Sequence, residues 1–78
     1  MARVVVVWLD EAGTEHMSQG KLEDLSDGGL SIRVNEPIEV GSMLEARTPL
    51  GNFSGAVVRS RQQGQAYILG IKRGASQK

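Results

Sequence analysis

Cysteine is absent from the 78 residues. That excludes a disulfide framework, a thiolate metal site and a cysteine nucleophile. Aromatic residues are scarce: Trp8, Phe53 and Tyr67 are the only three, so Val, Ile, Leu, Ala and Met must fill the core. There is no excess of charge, with nine Lys and Arg against nine Asp and Glu. A general nucleic-acid binder is usually basic, and a disordered acidic tail would not be 40% hydrophobic. Long apolar runs are lacking too. The longest, Val4 to Leu9, is far short of the ~20 residues that span a bilayer. Asp10 and Glu11 end it before any small-residue cleavage site, which argues against a signal peptide. The expectation is one small cytoplasmic domain with no membrane insertion. A chain of this length buries roughly 60–65% of its unfolded surface.

Glycine is plentiful. Ten Gly and two Pro punctuate the chain, and no segment keeps a 3.6-residue apolar period for three turns. Apolar residues alternate or come in short runs, as in strands joined by turns. Six strands are predicted. Val4–Leu9 is apolar on both faces, as a buried strand is. After the turn Asp10–Gly13 comes a more polar strand, His16–Leu25, in which Gly20 marks a bulge or a close backbone approach. Leu30–Val34 points Leu30, Ile32 and Val34 inward. Asn35-Glu36-Pro37 breaks the pattern, and Ile38–Ser42 reads as a connection. Met43–Thr48, Phe53–Arg61 and Tyr67–Lys72 follow, and 73–78 reads as a polar tail. Six short strands without a helix predict an all-β fold, a small six-stranded antiparallel β-barrel in which closure removes the exposed sheet edges.

Catalytic constellations are missing. His16 is the single histidine, without a second metal-ligating partner nearby, and reads as a solvated strand residue. No His-Glu-x-x-His, Gly-x-Ser-x-Gly or Gly-x-x-x-x-Gly-Lys motif occurs. The carboxylate pairs Asp10/Glu11 and Glu23/Asp24 suit strand ends. The expectation is a non-enzyme with no catalytic residue, metal or cofactor. Trp8 reads as core, with an outward, base-stacking position as the alternative. Arg59 and Arg61 share a strand face, either solvated or a basic patch for a nucleotide.

The segment Asp24-Leu25-Ser26-Asp27-Gly28-Gly29 remains. Asp and Ser side chains bond backbone N–H groups in turns, and Gly28 and Gly29 are able to take positive φ. Bare glycine backbone also allows a phosphate or purine to approach closely. Asp24-x-Ser26-x-x-Gly29 resembles the Asp/Asn-x-Ser-x-x-Gly signature of the PilZ domain family. Pro37 and Gly41, then Gly55-x-Val57-Val58-Arg59, then Tyr67-x-x-Gly70-Ile71, follow in that family's order. The resemblance covers about residues 3–72. It implies a bacterial β-barrel that binds cyclic di-GMP and passes the signal to a partner.

One departure bears on affinity. The family's second motif, Arg-x-x-x-Arg, lies before the first strand, where it clamps phosphates and stacks on guanine. It does not occur among these residues; only Arg3 precedes the first strand. Losing three charge-assisted bonds of about 1.5–3 kcal/mol each would cost roughly 4–9 kcal/mol, or three to six decades of affinity. The family's C-terminal helix also has no counterpart, since 73–78 is too short for one. Two functions follow as expectations: a weak cyclic di-GMP receptor using Asp24, Ser26, Gly29 and Arg3, or a ligand-independent adaptor that binds another protein or a second copy of itself. Neither involves nucleic acid.

Overall fold

A computed structural model describes residues 2–73. Six strands follow one another: β1 (Ala2–Leu9), β2 (Glu15–Leu25), β3 (Gly29–Val34), β4 (Met43–Thr48), β5 (Gly51–Gln63) and β6 (Ala66–Arg73). They close into an antiparallel barrel in the order β1-β2-β3-β6-β5-β4, with β4 returning to β1. The predicted all-β barrel is observed, and no helix among the described residues is long and apolar enough to cross a membrane. The strands are longer than predicted at several ends, most of all β5, which runs on to Gln63. Arg73, assigned from sequence to the tail, belongs to β6; the rest of that tail lies outside the described residues.

Strand periodicity fixes what fills the interior. Val4 and Val6 of β1, Leu30, Ile32 and Val34 of β3, and Leu44 and Ala46 of β4 all point inward and are buried. Leu22, Val57, Leu69 and Ile71 complete this wall. Each fully buried aliphatic side chain contributes about 1.5–3 kcal/mol. β1 differs from the fully buried strand expected of it: Val5 and Val7 face outward and are only half-buried, because a barrel has one interior. Trp8 is also half-buried, packed against the core at its margin. The connection between β3 and β4 supplies a core residue the sequence did not advertise. Ile38 is buried among the aliphatics although it stands outside any strand.

Two β-bulges interrupt the ladders, one in β2 between Leu22 and Asp24 and one in β5 between Val57 and Arg59. The first lets both Leu22 and Leu25 pack on the core at a spacing a regular strand forbids. The extra residue, Glu23, accepts a 2.7 Å hydrogen bond from Arg33 Nε. In the second bulge Val57 is buried while Val58 is turned out to solvent.

β3 and β6 meet at Gly29 so closely that a Cβ there would lie 2.5 Å from the Ile71 carbonyl oxygen. Neither Gly28 nor Gly29 has positive φ, contrary to the sequence expectation; Gly29 is required by contact, not by conformation. Gly20 is likewise a close approach, to the Arg33 carbonyl, the second of the two sequence readings, and the bulge of β2 lies further along the strand. Gly28 has open space where its side chain would be. Gly29→Ala is therefore expected to destabilise the barrel by about 1–3 kcal/mol, whereas Gly28→Ala stays within about 0.5 kcal/mol of wild type. Urea titration followed by circular dichroism of the two variants checks the contrast.

Candidate functional site

The two bulges flank the β3–β6 pair, and together they build a hollow on the outside of the barrel. In β2, Asp24 is registered with Ser31 of β3. Ser31 is registered with Gly70 of β6, and Gly70 with Arg59 of β5. The result is one row across four strands: an acid, two small residues and a base. Three inter-strand steps of about 4.8 Å separate the backbone positions of the acid and the base by ~14 Å. Leu30, Ile32, Leu69 and Ile71 turn inward on either side of the small residues, so Ser31 and Gly70 form the floor of the outer face.

The hollow has a volume of about 400 Å³, and Asp24, Ser26, Gly29, Val58, Arg59 and Lys72 are among its lining residues. The Arg59 side chain lies over Gly70: a Cβ on Gly70 would be 3.1 Å from its Nε and 3.3 Å from Nη2. No hydrogen bond or ion pair among the described residues engages the side chains of Asp24, Arg59 or Lys72. An acceptor and two cations are thus free to bond with a ligand. Val58, 48% exposed, adds an apolar edge.

The turn between β2 and β3 is held from two sides. Ser26 N donates to Gly29 O at 2.9 Å, and Ser26 Oγ donates to the same oxygen at 3.3 Å. Ser26 therefore bonds a carbonyl across the turn and not the N–H group two residues on that the sequence suggested. Arg73 reaches across from β6: its N donates to Gly28 O at 3.1 Å and its Nη1 to Ser26 O at 3.3 Å. The same guanidinium sits 4.7 Å from the centre of the Phe53 ring. Arg73 thus braces the turn, a role that reading it as tail concealed.

Three of the four residues singled out from sequence, Asp24, Ser26 and Gly29, line this hollow; Arg3 does not. Arg3 stands one row away. It is registered with Lys21, Lys21 with Arg33, Arg33 with Ile68 and Ile68 with Arg61. Arg33 and Ser31 are alternate residues of β3, so this basic row runs beside the Asp24–Arg59 row at a spacing of about 7 Å. Arg59 and Arg61, paired as a patch in the sequence, divide between the two rows.

The family model of the PilZ domain matches residues 2–76. The chain belongs to the PilZ family. No curated protein matches it. PilZ domains form a bacterial signalling family linked to cyclic di-GMP, and they are generally non-catalytic binding domains. The closed six-stranded barrel agrees with the PilZ fold. In this PilZ barrel the signature segment Asp24–Gly29 is the rim of the hollow, and the bulges bring Asp24 and Arg59 into register with its floor.

Histidine and tryptophan lie elsewhere. The Trp8 and His16 rings stack, with centroids 5.4 Å apart and planes at 19°. His16 Nε2 is 2.8 Å from Asp10 Oδ2, while Asp10 Oδ1 accepts from Ala12 N and Thr14 N at 2.8 and 2.9 Å. Gly13, with φ of 84°, lets the β1–β2 turn close around this carboxylate. His16 is thus an exposed strand residue, as expected, and one that is tied into a hairpin. Chiefly the His16 hydrogen bond, and then that from Thr14, holds the Asp10 carboxyl below its ordinary 3.8. A depressed carboxyl contributes stability above its unfolded pKa and loses it as pH falls through the folded value. Asp10→Asn is therefore expected to be less stable than wild type at neutral pH, with the gap shrinking once the pH drops below 3.8. Melting temperatures of both proteins between about pH 7 and pH 2.5 test this.

Proposed function

We propose that this PilZ barrel is a non-enzymatic receptor and adaptor in cytoplasmic cyclic di-GMP signalling, with the dinucleotide resting in the hollow between Asp24 and Arg59. The observation that carries the reading is the registered row Asp24–Ser31–Gly70–Arg59, with Lys72 beside it and the three charged groups unengaged among the described residues. Each part suits a purine nucleotide. The Asp24 carboxylate accepts N–H groups such as those on a guanine edge. Arg59 donates to phosphate in a fork geometry and offers a flat cation to a purine face. Lys72 adds a point charge. The bare backbone at Gly29 and Gly70 lets a planar base or a phosphate approach closely. Arg3, with the basic row it begins, supplies a longer-range attraction for the phosphates.

Direct binding is weak in this reading. The 78 residues contain no Arg-x-x-x-Arg, so Arg59, Lys72 and Arg3 stand in for the two guanidinium groups that the family places together. The same feature favours a second reading, in which the barrel works as a ligand-independent adaptor and the Asp24–Gly29 turn is structural only.

Isothermal titration calorimetry with cyclic di-GMP separates the two. Saturable binding is expected, with Asp24→Ala and Arg59→Ala each raising Kd by about ten- to a hundredfold, the loss of one charged hydrogen bond. Binding that is absent at millimolar nucleotide, or indifferent to both variants, contradicts the receptor reading. Gly70→Ala makes a sharper probe. The added methyl meets a flexible side chain and not backbone, so it is expected to displace Arg59 and weaken binding severalfold while leaving the melting temperature within a few degrees of wild type.

A further inference from the structure

A second opening shares no lining residue with the hollow and is larger, about 1010 Å³. Its sides are the β1–β2 turn, the connection before β4 from residue 36 on, and Met43 at the start of β4. The floor and lips are apolar: Trp8 is half-buried, while Leu9, Val40 and Met43 are 57%, 60% and 64% exposed. Such side chains are costly to leave in water, and three large ones in one cleft mark a contact surface. The rim is acidic. Asp10, Glu11, Glu36 and Glu39 all line the cleft, and no Lys or Arg does. Asp10 is committed to His16 and the turn; the side chains of Glu11, Glu36 and Glu39 make no hydrogen bond or ion pair among the described residues. The net charge of zero is therefore unevenly spread. Arg3, Lys21, Arg33 and Arg61 form the basic row, and this cleft gathers carboxylates.

We propose that the cleft is a docking site for a protein segment that carries aliphatic side chains flanked by Lys or Arg. The apolar lips bury the aliphatic anchors beside Trp8, and the glutamates pair with the flanking cations. The acidic rim repels nucleic acid and anionic lipid, which leaves a basic peptide as the matching occupant. A bound metal ion is a poorer match, because no three acidic or histidine groups among the described residues come together to hold one. The proposal stands independently of nucleotide binding, since it uses a different surface.

Trp8 is the single tryptophan and lines the cleft, so its fluorescence reports occupancy directly. The test uses the full 78-residue chain and three short unstructured Gly/Ser peptides, bearing leucine with lysine, leucine with glutamate, and lysine alone. The leucine–lysine peptide is expected to saturate, to shift Trp8 emission, and to move backbone amide resonances of Trp8, Glu11 and 36–43. Weakening of about tenfold or more is expected from the double variant Glu36→Lys with Glu39→Lys, and further weakening from high salt. Met43→Ala is expected to reduce binding by severalfold without altering the salt response. Equal binding of the leucine–glutamate peptide overturns the proposal, as does equal binding of the lysine-only peptide. So does a response confined to the Asp24–Arg59 hollow, or no saturation at millimolar peptide. Sedimentation that shows the cleft filled by a second copy of the chain also overturns it.

Discussion

The contact between β3 and β6 is the constraint on which the rest of this barrel depends. Residues Gly29–Val34 pair with Tyr67–Lys72, strands far apart in the chain, and at Gly29 the Ile71 carbonyl leaves no room for a Cβ. Without it the barrel would open into a single six-stranded sheet with β3 and β6 as exposed edges. With it, Leu30, Ile32, Leu69 and Ile71 meet in one core, and Ser31 and Gly70 become neighbours on the outside. The interaction that closes the fold thus also lays the floor of the candidate site.

The bulges turn that floor into a site. A regular β2 would have to turn either Leu22 or Leu25 away from the core; the insertion of Glu23 buries Leu22, packs Leu25 against the core and sets Asp24 opposite Ser31. In β5 the insertion of Val58 keeps Val57 in the core and sets Arg59 opposite Gly70. Bulges concentrate where a strand must re-aim a side chain, and here a pair of them frames one hollow. Arg73 then ties the β2–β3 turn to β6 through two carbonyls while resting on Phe53. Charge follows the same geometry. Alternation throws the cations of β1, β2, β3 and β5 into a row beside the hollow, and Asp10, Glu11, Glu36 and Glu39 gather on the loops around the second opening.

Much of this was legible in the sequence, for definite reasons. The strict alternation of Leu30-Ser31-Ile32-Arg33-Val34 fixes which face is core, and Gly and Pro fix where strands end. Asp24, Ser26 and Gly29 were identifiable because turn chemistry and the family signature coincide on them. Other features depend on register, which spacing alone does not set. Lys72 became a site residue only once β6 was paired with β3, and Arg59 parted from Arg61 only once register set one against Gly70 and the other against Ile68. The bulges did leave a trace. Leu22 and Leu25 are apolar at an odd spacing, as are adjacent Val57 and Val58, and a regular strand cannot bury both members of either pair. Ile38 left none, because a single apolar residue after Pro37 looks the same whether it plugs a barrel or lies on its surface.

Membership of the PilZ family gives this barrel a signalling context, and the row from Asp24 to Arg59 is the place we propose for a nucleotide. The most direct test of that place is a heteronuclear NMR titration of the labelled chain with cyclic di-GMP, using GMP as control. The account predicts saturable shifts that cluster at Asp24 to Gly29, Ser31, Arg59, Gly70 and Lys72, on one contiguous outer face, with GMP much the weaker ligand. Shifts scattered along the basic row alone, or none at millimolar dinucleotide, would contradict it and leave the hollow a structural consequence of closing the barrel.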